Sequence, residues 1–233
     1  MATLKAPKTI SKRKELRQDK AVTVFVRIQE FLYNNRTLAY GIAGAFVVVL
    51  IAIGGYAFWQ SQRGDEAQAL LGSIVRIYEE GGYREALDGV GDTPGLLTIA
   101  GDYGSSDAGN LARFYAADAL FRLGEYDQAL DYFEAFDKGD NIVGASALAG
   151  EAAIHEIQGN YGRAGDLYER AATVYDDELT SPGYLHNAGR SYEKAEQYED
   201  ARDAYQRIRD QYPDSNQAQS IDFFLARVSA KIQ

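Results

Sequence analysis

The chain has no cysteine and only two histidines, His155 and His186, in 233 residues. The first absence excludes a disulfide framework and a cysteine-based zinc site, and leaves the redox compartment open. Nor does the sequence contain paired metal-ligand histidines, a phosphate-binding glycine loop or a nucleophile elbow. Gly54-Gly55 lies inside an apolar run and is no nucleotide loop. Asp and Glu are abundant, but at helical spacing they read as solvated faces rather than acid/base pairs. His155 and His186 fall near the middle of helices and read as packing or surface residues. No catalytic, cofactor-binding or metal site is therefore expected, and no enzyme activity.

Charge is missing in a second way. No charged residue occurs between Arg36 and Arg63, and Leu38 to Trp59 gives 22 residues that include AGAFVVVLIAIGG. At 1.5 Å per residue such a helix covers about 33 Å, against a hydrocarbon core of about 30 Å. Tyr40 stands at one end and Tyr56, Phe58 and Trp59 at the other, where amphipathic rings favour the membrane interface. A buried core helix seldom runs so long without a charge. A cleaved signal peptide is a further alternative, since Ala67-Gln68-Ala69 has a small-x-small form. Its basic region and apolar stretch are too long, and the site lies too far beyond them. The expectation is one uncleaved transmembrane helix. Residues 1–37 carry nine basic against three acidic residues, a net of +6, and the rest of the chain carries −16. The positive-inside rule then places residues 1–37 in the cytoplasm and the acidic body outside. Such a body repels phosphate, so nucleic acid is not expected as its partner.

Ahead of the anchor, Ala21, Phe25, Ile28 and Leu32 share a helical face. They read as a short amphipathic helix on the cytoplasmic surface, or as a continuation of the membrane helix. Within the anchor, Gly41 and Ala45, like Ala39 and Ala43, stand four apart, a spacing that permits close helix contact.

Three segments of the body align without gaps: FRLGEYDQALDYFE, HEIQGNYGRAGDLYER and EKAEQYEDARDAYQR. Each holds a tyrosine, an alanine three residues later and an aromatic four after that. The triplets are Tyr126, Ala129, Phe133; Tyr161, Ala164, Tyr168; and Tyr198, Ala201, Tyr205. Twelve residues before each alanine stands another small residue, Ala117, Ala152 or Gly189. Antiparallel helices joined by a tight turn approach closest where both side chains are small. Gly124 and Gly159 suit that turn; the third segment has Glu196 there, which suggests a different turn or a longer first helix.

This pattern resembles the tetratricopeptide repeat family, whose unit is a helix-turn-helix of about 34 residues. Tyr212-Pro213 follows the third unit, where that family often has proline. The expected fold is all-α, a single N-terminal transmembrane helix followed by a tetratricopeptide-type helical repeat solenoid. The expected divisions are a basic cytoplasmic arm (1–37), the membrane helix (38–59), a degenerate first repeat and connecting region (60–109), three repeats (110–215) and a capping helix (216–233). The degenerate unit is centred on GGYREAL, with Ile74 at its crossing position; residues 93–110 are expected to hold a short helix and a loop. Asp214 or Ser215 is expected to cap the last helix, with Ile221, Phe224, Leu225 and Val228 as its buried stripe.

Helical solenoids bind polypeptides in a groove. In the repeat family the groove residues come from each first helix. The resemblance carries that role onto Phe114, Asp118, Phe121 and Arg122, onto Glu156, and onto His186, Arg190 and Glu193. Each of these residues has inter-repeat packing or plain solvation as its alternative. The layout of basic arm, anchor and acidic repeat domain, with GLLTIAGDYGSSDAGNLARFYAADALFRLGEYDQAL, also resembles the bacterial ancillary SecYEG translocon subunit family. That resemblance implies a periplasmic domain at the inner membrane, partnered by translocon subunits, chaperones or emerging chains. QYPDSNQAQSIDFFLARV resembles periplasmic repeat proteins that organise envelope assembly or cell division. A regulatory subunit of a membrane complex is a third reading.

Overall fold

The computed structural model describes Val26, Phe31, Tyr33 and residues 35–232. The face Ala21, Phe25, Ile28 and Leu32 lies outside the described residues. The chain divides into two compact units, Met1–Trp59 and Gln60–Gln233.

Helix α1 runs Arg36–Glu79 over 44 residues. It holds a stretch of mean hydropathy 2.3, none of it buried, and is long and apolar enough to cross a membrane by length and composition. Phe46, Val48, Ile51 and Phe58 are all well exposed there.

The second unit begins with the C-terminal part of α1. Its other helices are α2 (Tyr83–Asp88), α3 (Leu96–Asp102), α4 (Asp107–Arg122), α5 (Tyr126–Ala135), α6 (Ile142–Ile157), α7 (Tyr161–Val174), α8 (Ser181–Lys194), α9 (Tyr198–Gln211) and α10 (Ile221–Ile232). Side-chain oxygens start two of them. Ser106 Oγ accepts from Gly109 N at 3.1 Å ahead of α4. Asn141 Oδ1 accepts from Val143 N and Gly144 N, each at 3.0 Å, ahead of α6. Each cap satisfies backbone donors that the helix itself cannot reach.

One turn recurs four times. Gly81, Gly124, Gly159 and Glu196 all have positive φ, at 87°, 81°, 80° and 60°. In each turn the left-handed residue donates to the carbonyl three back, and its successor donates to the carbonyl five back. For Gly124 these bonds are to Phe121 O (3.0 Å) and, from Glu125, to Leu120 O (2.9 Å). For Glu196 they are to Glu193 O (3.1 Å) and, from Gln197, to Tyr192 O (2.9 Å). The expectation of a different turn at Glu196 is corrected. The closing hydrogen bonds of the helix end are made only in this geometry, and a non-glycine residue is held in it.

Residues 93–110 hold the expected short helix, Leu96–Asp102, and a loop at 103–106; what was not expected is the hairpin that precedes them. Gly89–Val90 and Thr93–Pro94 pair as a two-residue antiparallel hairpin, which ends α2 after six residues. Only then does α3 begin. A methyl at Gly95, between the return strand and α3, would collide with the Leu87 carbonyl, so the chain needs glycine there.

The repeated small residues are interior. Ala117, Ala129, Ala152, Ala164 and Ala201 are fully buried. Gly189, grouped with Ala201 from the sequence, is buried too, under the ring of Tyr205. Gly150 lies under Phe133 and Gly165 under Tyr192 in the same way. The interior forms two clusters. One gathers Leu71, Ile74, Leu87, Leu96, Leu120, Phe133 and Ile154; the other gathers Leu148, Leu167, Leu185, Tyr205, Ile208 and Val228. Ser215 Oγ accepts from Ala218 N at 3.2 Å, a short 3₁₀ turn follows, and α10 buries Ile221, Leu225 and Val228.

Candidate functional site

The residues named from the sequence fall into three groups. On α4, the Phe114 ring packs against Phe133 at 6.1 Å and Phe136 at 5.8 Å, and Phe121 packs against Tyr126 at 5.5 Å. Both phenylalanines are half-buried against the first interior cluster, so one part of each ring packs between helices and the other part faces outward. Asp118 accepts from the Tyr78 hydroxyl and from Arg122 Nε at 2.5 Å. Tyr78 also meets Tyr83 and Tyr115 edge-on, at 5.5 and 5.1 Å. Burial, and then the hydrogen bond to Asp118, raise the Tyr78 hydroxyl well above its ordinary range, so it stays a donor.

The second group crosses two repeats. Glu156 on α6 receives Lys194 Nζ at 2.6 Å and Arg190 Nη2 at 3.7 Å from α8. Lys194 also lies over the Tyr161 ring at 4.9 Å. The cations are exposed, so the pairs contribute only about 0–1 kcal/mol. Burial, with Glu156 nearby, pushes the Tyr168 hydroxyl up to about 12.

The third group closes on the last helix. Glu193 accepts from Tyr205 O–H at 2.7 Å and from Arg227 Nη2 at 2.6 Å. His186 stands edge-on to Phe224 at 4.9 Å, and Arg227 covers Phe224 at 4.8 Å. Burial, and then Arg190, lower the His186 pKa; Glu193 opposes them. Among the described residues, no ring contact, hydrogen bond or ion pair joins the α4 group to the other two.

A groove of about 640 Å³ lies elsewhere, between α1 and α4, and the sequence reading had no residue in it. Leu71, Val75, Leu111 and Tyr115 form its apolar wall, and Arg76, Glu79 and Asp107 its rim. A signal for it was present. The offsets that lead from Ala117 to Phe114, Asp118, Phe121 and Arg122 lead from Ile74 to Leu71, Val75, Tyr78 and Glu79. Three of these four line the groove.

Stacked helix pairs with one repeated turn and small crossing residues define a helical repeat solenoid, a class that offers surfaces rather than reactive centres. The tetratricopeptide repeat family matches residues 184–215 in one form and residues 102–142 and 117–178 in another. The chain thus carries tetratricopeptide repeats in a tetratricopeptide-like helical solenoid. Two crystal structures of the nearly identical TPR-like repeats of a candidate kinesin light chain from Podosopora anserina share the fold. One, of a point variant, has a TM-score of 0.52 and spans 72% of this chain and 87% of its own; the other has 0.53, 72% and 88%. Identity is 12% in both, so the likeness is one of fold alone. No curated protein matches the chain. Tetratricopeptide repeats mediate protein–protein interaction, and proteins built from them are generally non-catalytic scaffolds.

Proposed function

We propose that the chain is a membrane-anchored scaffold whose repeat domain binds other polypeptides outside the cytoplasm, as an accessory factor at a bacterial Sec translocon. The observation that carries this reading is the pairing of tetratricopeptide repeats with an uncharged run of 22 residues, Leu38 to Trp59, behind a +6 arm. The anchor keeps the domain at the inner membrane with its N-terminus inside, and its partners are translocon subunits, periplasmic chaperones or emerging chains. Exposed phenylalanine, valine and isoleucine along α1 support the lipid contact. The net −16 of the remaining chain supports a protein partner over nucleic acid.

Two measurements test it. A reporter active only outside the cytoplasm, fused after Gln233, is expected to be active; activity of a cytoplasmic-only reporter there reverses the topology. Photo-crosslinkers placed on the exposed cations Arg190 and Lys194, in intact membranes, are expected to capture translocon subunits or their clients. Capture of envelope-assembly or division proteins alone would move the scaffold to that machinery.

A further inference from the structure

The groove between α1 and α4 has three features that point to one kind of occupant. The first is its wall: Val75, Leu111 and Tyr115, with the buried Leu71 behind them, give apolar lining to a space of about 640 Å³. That volume accommodates several side chains from one or two turns of a helix.

The second is Gly72, in the groove lining and in the interior of α1. Glycine weakens a helix interior, so its presence calls for a reason. Gly150, Gly165 and Gly189 have one, because neighbouring aromatic rings occupy the space a methyl would take. A methyl on Gly72 would meet nothing within 4 Å, as is also true of Gly64 and Gly101, but of these three Gly72 alone lies in the groove lining. The room it leaves is open to another chain, whose backbone can approach α1 closely there.

The third is charge. Glu79 and Asp107 stand exposed on the rim and form no ion pair among the described residues, and Arg76 is the only cation in the lining. The lining thus carries two carboxylates against one guanidinium, and the chain after residue 37 carries −16 in all. Such a field draws cations to the groove and repels acidic segments.

We infer that this groove seats a basic amphipathic helix of a partner polypeptide. Its apolar side chains lie over Leu71, Val75 and Leu111, its backbone rests against Gly72, and its lysines or arginines face Glu79 and Asp107. The inference rests on the scaffold reading above and gives that scaffold a ligand class and an address.

The test uses the full chain in lipid nanodiscs, with empty nanodiscs as the blank. The probe is a fluorescent helix of about 15 residues, long enough to be helical when bound, with leucines on one face and lysines on the other. A second probe keeps the leucines and replaces lysine with glutamate. The lysine probe is expected to bind and the glutamate probe to bind at least about tenfold more weakly. Gly72→Phe fills the groove from a position with room for the ring, and is expected to weaken the lysine probe at least about tenfold. Glu79→Lys with Asp107→Lys is expected to reverse the preference between the probes. Absence of binding by the native chain, equal affinity for both probes, or unaltered binding by Gly72→Phe would overturn the inference. The scaffold reading fails separately. If crosslinkers at Arg190 and Lys194 capture no polypeptide in membranes, the scaffold is wrong whatever the probes do. If Gly72→Phe captures the native set undiminished and also binds the lysine probe normally, the scaffold stands and this address is wrong.

Discussion

Replacing Glu196 with glycine is expected to stabilise the repeat domain. Glu196 sits at φ 60° in a turn whose three counterparts are all glycine. A side chain held in the left-handed region crowds its own carbonyl and costs about 1–2 kcal/mol. Glycine relieves that crowding but brings a more flexible unfolded chain, which takes back about 0.5–1 kcal/mol. The net expectation is a gain of about 0.5–1 kcal/mol. The Glu196 side chain is exposed, so little packing is lost with it. In a domain of this size such a gain raises Tm by about 1–4 °C. The assay is urea and thermal unfolding of the fragment beginning at Gln60, followed by helical circular dichroism. Gly159→Ala, at the corresponding place one repeat earlier, is the mirror control and is expected to lose about 1 kcal/mol. A destabilised Glu196→Gly beside a destabilised Gly159→Ala would refute the reasoning. It would mean that the glutamate side chain, not the turn, is what the fold needs at that place.

Three further outcomes are expected. Lys138 and Glu151 form a 2.7 Å pair whose carboxylate is 6% exposed. Lys138→Met should therefore lower stability by about 3–5 kcal/mol, and Lys138→Met with Glu151→Leu should recover much of it, as read by denaturant midpoints. Ala164→Leu puts bulk at a fully buried crossing point and should cost about 1–3 kcal/mol in the same assay; an unchanged midpoint would misplace the crossing. His186 has a folded pKa below its ordinary 6.5. The unfolded chain thus takes up this proton first as pH falls, so the contribution is fully present above pH 6.5 and is lost below it. His186→Phe, which keeps the ring against Phe224, should flatten that acid limb of the stability profile, and an unaltered limb would assign it to carboxylates.

The repeat architecture was legible because its determinants are local and periodic. Ala129, Ala164 and Ala201 are spaced as closely packed helix pairs require, and all three are fully buried. The turn at Glu196 was illegible for a definite reason. Residue type argued against a left-handed conformation, but the hydrogen bonds of Glu196 and Gln197 to the end of α8 impose it. The hairpin at residues 89–94 was hidden because two-residue strands carry no alternation to read. For the candidate site, spacing identified residues that share helix positions, but it could not assign the partners of each. Phe114 has helix spacing compatible with a ligand-facing strip, and its half-buried ring also packs on Phe133 and Phe136, contacts the spacing did not reveal. Which neighbour fills a given space depends on residues distant in sequence, and the apolar groove beside α1 is of the same kind.

Helix α6 bears on how the stack would come apart under load. Ala147 and Ile154 belong to one interior cluster, and Leu148 and Ala152, on the same helix, to the other. The helix is thus a party wall between two cores, and tension applied across the domain passes through it. Its joint with α7 is extensive, whereas its joint with α5 is sparse. The fracture line of the stack therefore runs between α5 and α6, where Phe133 is pressed on Gly150 and Lys138 meets the Glu151 carboxylate. Opening there wets two charges that the closed form keeps dry, and their hydration returns part of the work of separation. The repeat domain has a preferred place to yield; the break draws Ala147 and Ile154 out of the first core and leaves the second core whole.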